Sequence, residues 1–283
     1  MYRIIVPIDF SEESLKGLEL AILLSNKIEC KIEMVYVQKK SLDYRPGTRD
    51  EEYKFAEREF SKILEKYNSK LPSGIILQYI VKSGKIYREI VNQTESFKDS
   101  FIVTSTHGAS GFEKFFIGSN AFKIITATYK PVFTIRDCEV PKDIKNIVLP
   151  LDISVDTRQK VPFTTELAKW FGASVHIVTV TSLQTEDINK KLTSYSNQVC
   201  EYLEKHGVKY ETVSLIGSNI TNMLIDFAEE INADLISIMT EQVSDGNYIM
   251  GTAAQQMLNK ASLPVLSINP KELHVSGVFA TQG

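Results

Sequence analysis

The chain repeats itself. Ile4-Ile5-Val6-Pro7-Ile8-Asp9-Phe10-Ser11 returns as Ile147-Val148-Leu149-Pro150-Leu151-Asp152-Ile153-Ser154. Val37 has a counterpart in Val180, Gly84 in Gly217, and Gly118-Ser119 in Gly251-Thr252. The run from Lys130-Pro131 to Ile135 is matched by the run from Leu263-Pro264 to Ile268. The same landmarks in the same order, in a chain of 283 residues, fit two copies of one ordinary domain better than a single large one. The spacing between counterparts is constant from Asp9/Asp152 to Val37/Val180 and then shortens, because the first copy carries an extra stretch between Gln38 and Asp50. That stretch is polar, contains Arg45-Pro46-Gly47 and has no match in the second copy, so it reads as a surface loop. The copies meet between Cys138 and Asp143, where Pro141 breaks the pattern. This gives a first domain over 1–138, a second over 143–270, and a small polar tail over 271–283 that is expected to be mobile.

Within each copy, apolar runs alternate with amphipathic stretches. In the first copy, strands are expected over 3–8, 31–37, 75–81, 101–104 and 132–135. Helices fall between them. One follows Ser11 with Leu15, Leu18 and Ile22 on a single face. A long one is marked by Tyr53, Ala56, Phe60, Ile63, Leu64 and Tyr67. Others start at 86 and at 119. The second copy follows the same order. Strand–helix alternation predicts the α/β class with βαβ units, a parallel sheet, right-handed crossovers and helices on both faces. In open sheets of this kind, ligands sit at the carboxyl ends of the strands where the strand order reverses. The places to look are therefore after Ile8 and after Val103.

After the fourth strand the first copy reads Ser105-Thr106-His107-Gly108-Ala109-Ser110-Gly111, then runs to Gly118-Ser119-Asn120, where a helix starts. Glycines allow successive N–H groups to face one concavity, and a helix N-terminus supplies unpaired N–H groups and partial positive charge, a combination that suits phosphate. Asp9, with Glu12 three residues on, reads either as the cap of the first helix or as a ligand contact. Lys114 reads as a solvated loop lysine, and Phe112, Phe115 and Phe116 as residues that anchor the loop. In the second copy the corresponding segment is Met239-Thr240-Glu241-Gln242-Val243-Ser244-Asp245-Gly246. Glu241 and Asp245 there place negative charge where a phosphate would sit, and Gly251-Thr252 is left as a helix start.

These features together resemble the universal stress protein family. Gly108, nine residues, Gly118 and Ser119 match the second half of that family's G-x2-G-x9-G-[S/T] signature, while Ser105 replaces its first glycine. Pro7-Ile8-Asp9 matches its Pro-x-Asp at the end of the first strand. The resemblance extends over both copies, from Met1 to about Asn269. It implies two tandem doubly wound, Rossmann-like, five-stranded parallel-sheet domains with strand order 3-2-1-4-5. It also implies pairing of the two copies through their last strands as an intramolecular pseudo-dimer, since single-domain members pair in that way. It further implies ATP or a related adenine nucleotide, with Mg, bound in the first copy. Pro7, Asp9 and Val37 would then face the adenosine, and Ser105, His107, Gly108, Gly118, Ser119 and Asn120 would lie along the phosphates. No nucleotide is expected in the second copy.

A net charge of −3, without a Lys/Arg run, gives no footprint for nucleic acid. The opening apolar run is too short for a signal peptide or a membrane span, so a cytoplasmic protein without membrane attachment is expected. Cys30, Cys138 and Cys200 are scattered and odd in number. They read as free thiols rather than a disulfide framework or a metal site, and His176, His206 and His274 show no ligand spacing. The functional expectation is a non-enzymatic, nucleotide-binding module of a stress response, able to homodimerise. Two alternatives stay open, a nucleotide-free scaffold or chaperone-like protein and a slow ATP hydrolase. The second has no G-K-[S/T] loop ending and no visible base or carboxylate pair behind it.

Overall fold

A computed structural model describes residues 1–39, 48–106, 117–136, 138–240 and 250–271. The chain divides into two compact units, Met1–Val140 and Pro141–Gly283.

In the first unit the order is β1 (Tyr2–Pro7), α1 (Glu12–Ser25), β2 (Cys30–Lys39), α2 (Thr48–Asn68), β3 (Ile76–Gly84), α3 (Ile86–Glu95), β4 (Ser100–Ser105), α4 (Ser119–Ala127) and β5 (Val132–Ile135). The strands lie in the order β3-β2-β1-β4-β5, all parallel. Ile4, Ile5, Val6, Ile32, Met34, Phe101, Ile102 and Phe133 are buried along the inner strands. A parallel sheet is covered on both faces, so its central strands are continuous apolar runs rather than alternating ones. The strand order reverses between β1 and β4, and β1 is the first strand to end at the carboxyl edge, at Pro7 opposite Val35.

Two local expectations are corrected. The stretch between Gln38 and Asp50 is not loop throughout. β2 continues to Lys39 and α2 already begins at Thr48, which leaves residues 40–47 outside the described residues. Of the residues that mark α2, Ala56, Phe60, Ile63 and Tyr67 form its buried face, while Tyr53, at the same spacing, is exposed. The cap of α1 is Ser11, whose Oγ accepts from Ser14 N at 3.1 Å, and not Asp9 in a box with Glu12. Ser11 sits one residue before the first helical turn, where a short hydroxyl meets an unpaired N–H, whereas Asp9 stands two residues further out.

The second unit runs β6 (Asn146–Leu151), a 3-10 turn (Val155–Arg158), α5 (Val161–Phe171), β7 (Ser174–Thr181), α6 (Glu186–Lys205), β8 (Tyr210–Ile216), α7 (Ile220–Glu230), β9 (Leu235–Met239), α8 (Thr252–Lys260) and β10 (Val265–Ile268). Its order is β8-β7-β6-β9-β10, again parallel and again 3-2-1-4-5 by sequence. Beyond Lys271, which exchanges two hydrogen bonds with the Gln159 amide at 2.8 and 3.1 Å, the expected tail lies outside the described residues. None of the three cysteines forms a disulfide among the described residues, and burial pushes the Cys30 thiol up to about 11. No helix among the described residues is long and apolar enough to cross a membrane.

Candidate functional site

The carboxyl edge of the first sheet gathers most of the residues singled out in the sequence. β1 stops at Pro7, and Ile8 N donates the last bond of that ladder to Val35 O at 2.9 Å. Backbone polar groups alternate sides along a strand, so Val37, two residues past Val35, turns its N–H and C=O to the same side, into the space beyond the end of β1. Its side chain is buried, which leaves the backbone as the recognising group.

Asp9 is exposed at the turn that follows. Its Oδ1 accepts from Ser11 N at 3.1 Å and from Ser11 Oγ at 2.5 Å. Between them Phe10 adopts φ +66°, a left-handed conformation that costs a residue with a Cβ about 1–3 kcal/mol. The Asp9–Ser11 bonds hold this turn from one side. From the other, the Phe10 ring packs against Tyr36, Phe55 and Phe60 at centroid distances of 5.0, 5.7 and 5.1 Å.

On the far side of the crevice, β4 ends at Ser105 opposite Ile135, and Thr106 N donates to Ile135 O at 3.0 Å. His107 and Gly108, with the rest of 107–116, lie outside the described residues. The chain returns at Ile117, which is buried, and Gly118 N donates to Thr106 O at 2.7 Å. This assigns Gly118 a role that the sequence reading did not separate from phosphate contact. A Cβ on Gly118 would sit 2.9 Å from Thr106 O, so the glycine lets the loop close backbone to backbone, and its own N–H is used in doing so. The groups left for an anion are those of the first turn of α4. The N–H groups of Ser119, Asn120 and Ala121 have no acceptor within the helix, and Phe122 N is the first to bond back, to Gly118 O at 3.0 Å. Ser119 and Asn120 are exposed there. This end fits a phosphate. Among the described residues no cluster of His, Cys, Asp or Glu provides three metal ligands.

One contributor was missed. Gly17, on α1, faces the end of β4. A Cβ there would lie 3.4 Å from Ser105 N and 3.5–3.6 Å from Thr104 backbone atoms, so α1 packs directly on the strand that feeds the loop. The repeat itself held the signal, because the counterpart of Gly17 is Lys160.

The second unit follows the same path with different groups. Thr240 N donates to Ile268 O at 3.0 Å, Met250 is buried as Ile117 is, and Gly251 precedes α8 with φ and ψ close to those of Gly118. The strand registers make Met239 the counterpart of Ser105 and Thr240 that of Thr106, so the loop of the second copy is shorter by one residue. Counting on from the strand then sets Gln242 at the Gly108 position, with residues 241–249 outside the described ones. Where Gly17 lets α1 rest on β4, Lys160 sits just before α5, and the 3-10 turn packs on β9 ahead of it. Lys160 is 2 % exposed. Its Nζ donates to Thr157 O at 2.5 Å and lies 3.4 Å from Thr157 Oγ1. Burial pushes this amine down to about 8, against an upward pull from Asp152. Thr164 Oγ1 and Ser237 Oγ, 2.7 Å apart, bridge α5 to β9.

The family model of universal stress proteins matches residues 1–136 and again 143–269. The chain belongs to the universal stress protein family. As a tandem universal stress protein it is similar to the universal stress protein YxiE of Bacillus subtilis (strain 168). The two are 26% identical over 145 residues, covering 47% of this chain and 98% of the relative. Among solved structures it is similar to a universal stress protein from Archaeoglobus fulgidus DSM 4304, at 22% identity and a TM-score of 0.75, with 94% of this chain and 98% of that one covered. It is also similar to a functionally unknown protein from Pseudomonas aeruginosa PAO1, at 13% identity and a TM-score of 0.64, with 95% and 92% covered. At these identities the two structural likenesses concern the fold alone.

Proposed function

We propose that this universal stress protein binds one molecule of ATP or a related adenine nucleotide, in its first unit, and works as a non-enzymatic binding module of a cytoplasmic stress response. The observation that carries the reading is the pairing of two open backbone ends across the β1/β4 switch point. These are the edge of β2 at Val37, beyond the end of β1, and the first turn of α4 at Ser119, Asn120 and Ala121. Adenine would bond to Val37, Asp9 would face the ribose with Pro7 beneath it, and the phosphates would rest on α4. Ser105 and Gly108 belong to the phosphate side through the family signature alone, and His107 only through its place between them. The metal, Mg, would arrive with the phosphates.

The second unit would bind no nucleotide. Lys160 is packed in at the counterpart of Gly17, and Glu241 and Asp245 lie in the loop sequence. Its role in this reading is structural, pairing with the first unit through the last strands. That pairing rests on the matched apolar runs of the sequence.

Equilibrium dialysis of labelled ATP against the full chain tests the reading, with Ser119→Glu as the control. Glutamate at the first helical position suits the helix N-terminus and keeps the fold, while its charge opposes a phosphate. Saturable binding that this variant abolishes is the expected result. Equal binding by both proteins, or none by either, would refute it.

A further inference from the structure

Three cations of the first unit stand around one phenol. Lys85 precedes α3, Tyr87 and Arg88 lie in its first turn, and Lys123 reaches over from α4, which packs against α3. Arg88 Nε donates to Tyr87 Oη at 3.1 Å. The Arg88 guanidinium carbon and Lys123 Nζ stand 5.9 and 6.0 Å from the Tyr87 ring centroid. The hydrogen bond from Arg88, followed by the charges of Arg88, Lys85 and Lys123, holds the Tyr87 hydroxyl below the ordinary tyrosine value. All three cations are exposed, and none forms an ion pair among the described residues. The nearby carboxylate of Glu89 lies instead against Gly84. Three like charges held together without a counter-ion repel one another, and an anion among them removes the repulsion.

Two facts tie this cluster to the candidate site. The first is position. Lys123 follows Ser119 by one helical turn, a rise of about 6 Å, so the cluster lies within about a turn of the N-terminus of α4. The second is asymmetry. The helix starts of α3 and α7 place Asn219, Thr221 and Asn222 opposite Lys85, Tyr87 and Arg88, and Gln256 stands opposite Lys123. The unit without the phosphate signature carries no charge at these places.

We propose that Lys85, Arg88 and Lys123, around Tyr87, form an anion subsite beside α4 that receives the distal end of a phosphate chain, so that the first unit selects tri- and polyphosphates over monophosphates. The inference rests on the nucleotide reading above and concerns the same site. The test compares ATP, AMP and inorganic tripolyphosphate as ligands of the full chain, wild type against the triple variant Lys85→Gln, Arg88→Gln, Lys123→Gln, with thermal unfolding as a check that the exposed substitutions leave the fold intact. The subsite predicts that ATP binds more tightly than AMP to the wild type. It also predicts that the triple variant weakens ATP and tripolyphosphate by about tenfold, with a shallower salt dependence, and leaves AMP unchanged. Equal loss for ATP and AMP, or no loss for either, would overturn it. Tripolyphosphate binding that depends on the three cations, in a chain that binds no nucleotide, would refute the nucleotide reading and leave the subsite standing. No binding of any of the three would refute both.

Discussion

Lys160 carries a cost that can be measured. Its ammonium is enclosed by protein, it bonds to O and Oγ1 of Thr157, and it sits at a helix N-terminus where positive charge is disfavoured. Moving its titration from 10.5 to about 8 corresponds to roughly 3 kcal/mol of destabilisation of the charged form in the folded protein. The hydrogen bond to Thr157 O offsets about 1 kcal/mol of the consequence of removing it. Lys160→Met keeps the length of the stem and discards the charge. At pH 7 it is expected to raise the unfolding free energy by about 2 kcal/mol, the difference of those two effects. The pH dependence sets the sign. Between about 8 and 10.5 the folded wild type binds fewer protons than the unfolded chain, so its stability rises through that window, while below it the full cost is present. Methionine has no such window. The advantage of the variant should therefore shrink above pH 8 and reverse to about −1 kcal/mol near pH 10.5, once only the lost hydrogen bond is left. Urea denaturation of both proteins across that range is the assay. A variant that is destabilised at pH 7, or a difference that does not change with pH, would refute the view that an enclosed ammonium, only partly offset by Asp152 and Thr157, occupies the position that Gly17 holds in the first copy.

Gly118→Ala forces a Cβ to within 2.9 Å of Thr106 O, and should lower stability by about 1–3 kcal/mol in thermal unfolding even without ligand; a neutral result would remove the close-approach role assigned to that glycine. A double-mutant cycle of Thr164→Val and Ser237→Ala should report a coupling of about 1 kcal/mol across the α5/β9 seam, and additivity would show that their 2.7 Å contact contributes nothing.

Much of the fold was legible because the repeat supplied each boundary twice. β5 spans the expected 132–135, and Pro7-Ile8-Asp9 stands at the end of the first strand in the order 3-2-1-4-5. The errors came where packing or local bonding decides. Tyr53 has helical spacing with Ala56 and Phe60 yet stays exposed. Asp9 and Ser11 are both good caps by residue type, and only the position of the first turn chose Ser11. Glu33, within an apolar strand, is buried because the Gln78 and Gln93 amides and Arg3 meet it from other elements, a partnership that no single segment announces. At the site, the glycine signature pointed to the right loop but not to the division of labour within it. Gly118 closes the chain onto Thr106, and α4 offers the N–H groups. The opposition of Gly17 to Lys160 was readable from the aligned copies, but its meaning depends on how closely each helix approaches its strand.

The central claim is that one chain holds two copies of the domain and one nucleotide site. Native mass spectrometry of the full chain with ATP tests it most directly, run on the wild type, Ser119→Glu and the counterpart Thr252→Glu at the start of α8. The account predicts a single bound nucleotide per chain, lost in Ser119→Glu and kept in Thr252→Glu. Two nucleotides per chain, or loss in Thr252→Glu with retention in Ser119→Glu, would contradict it.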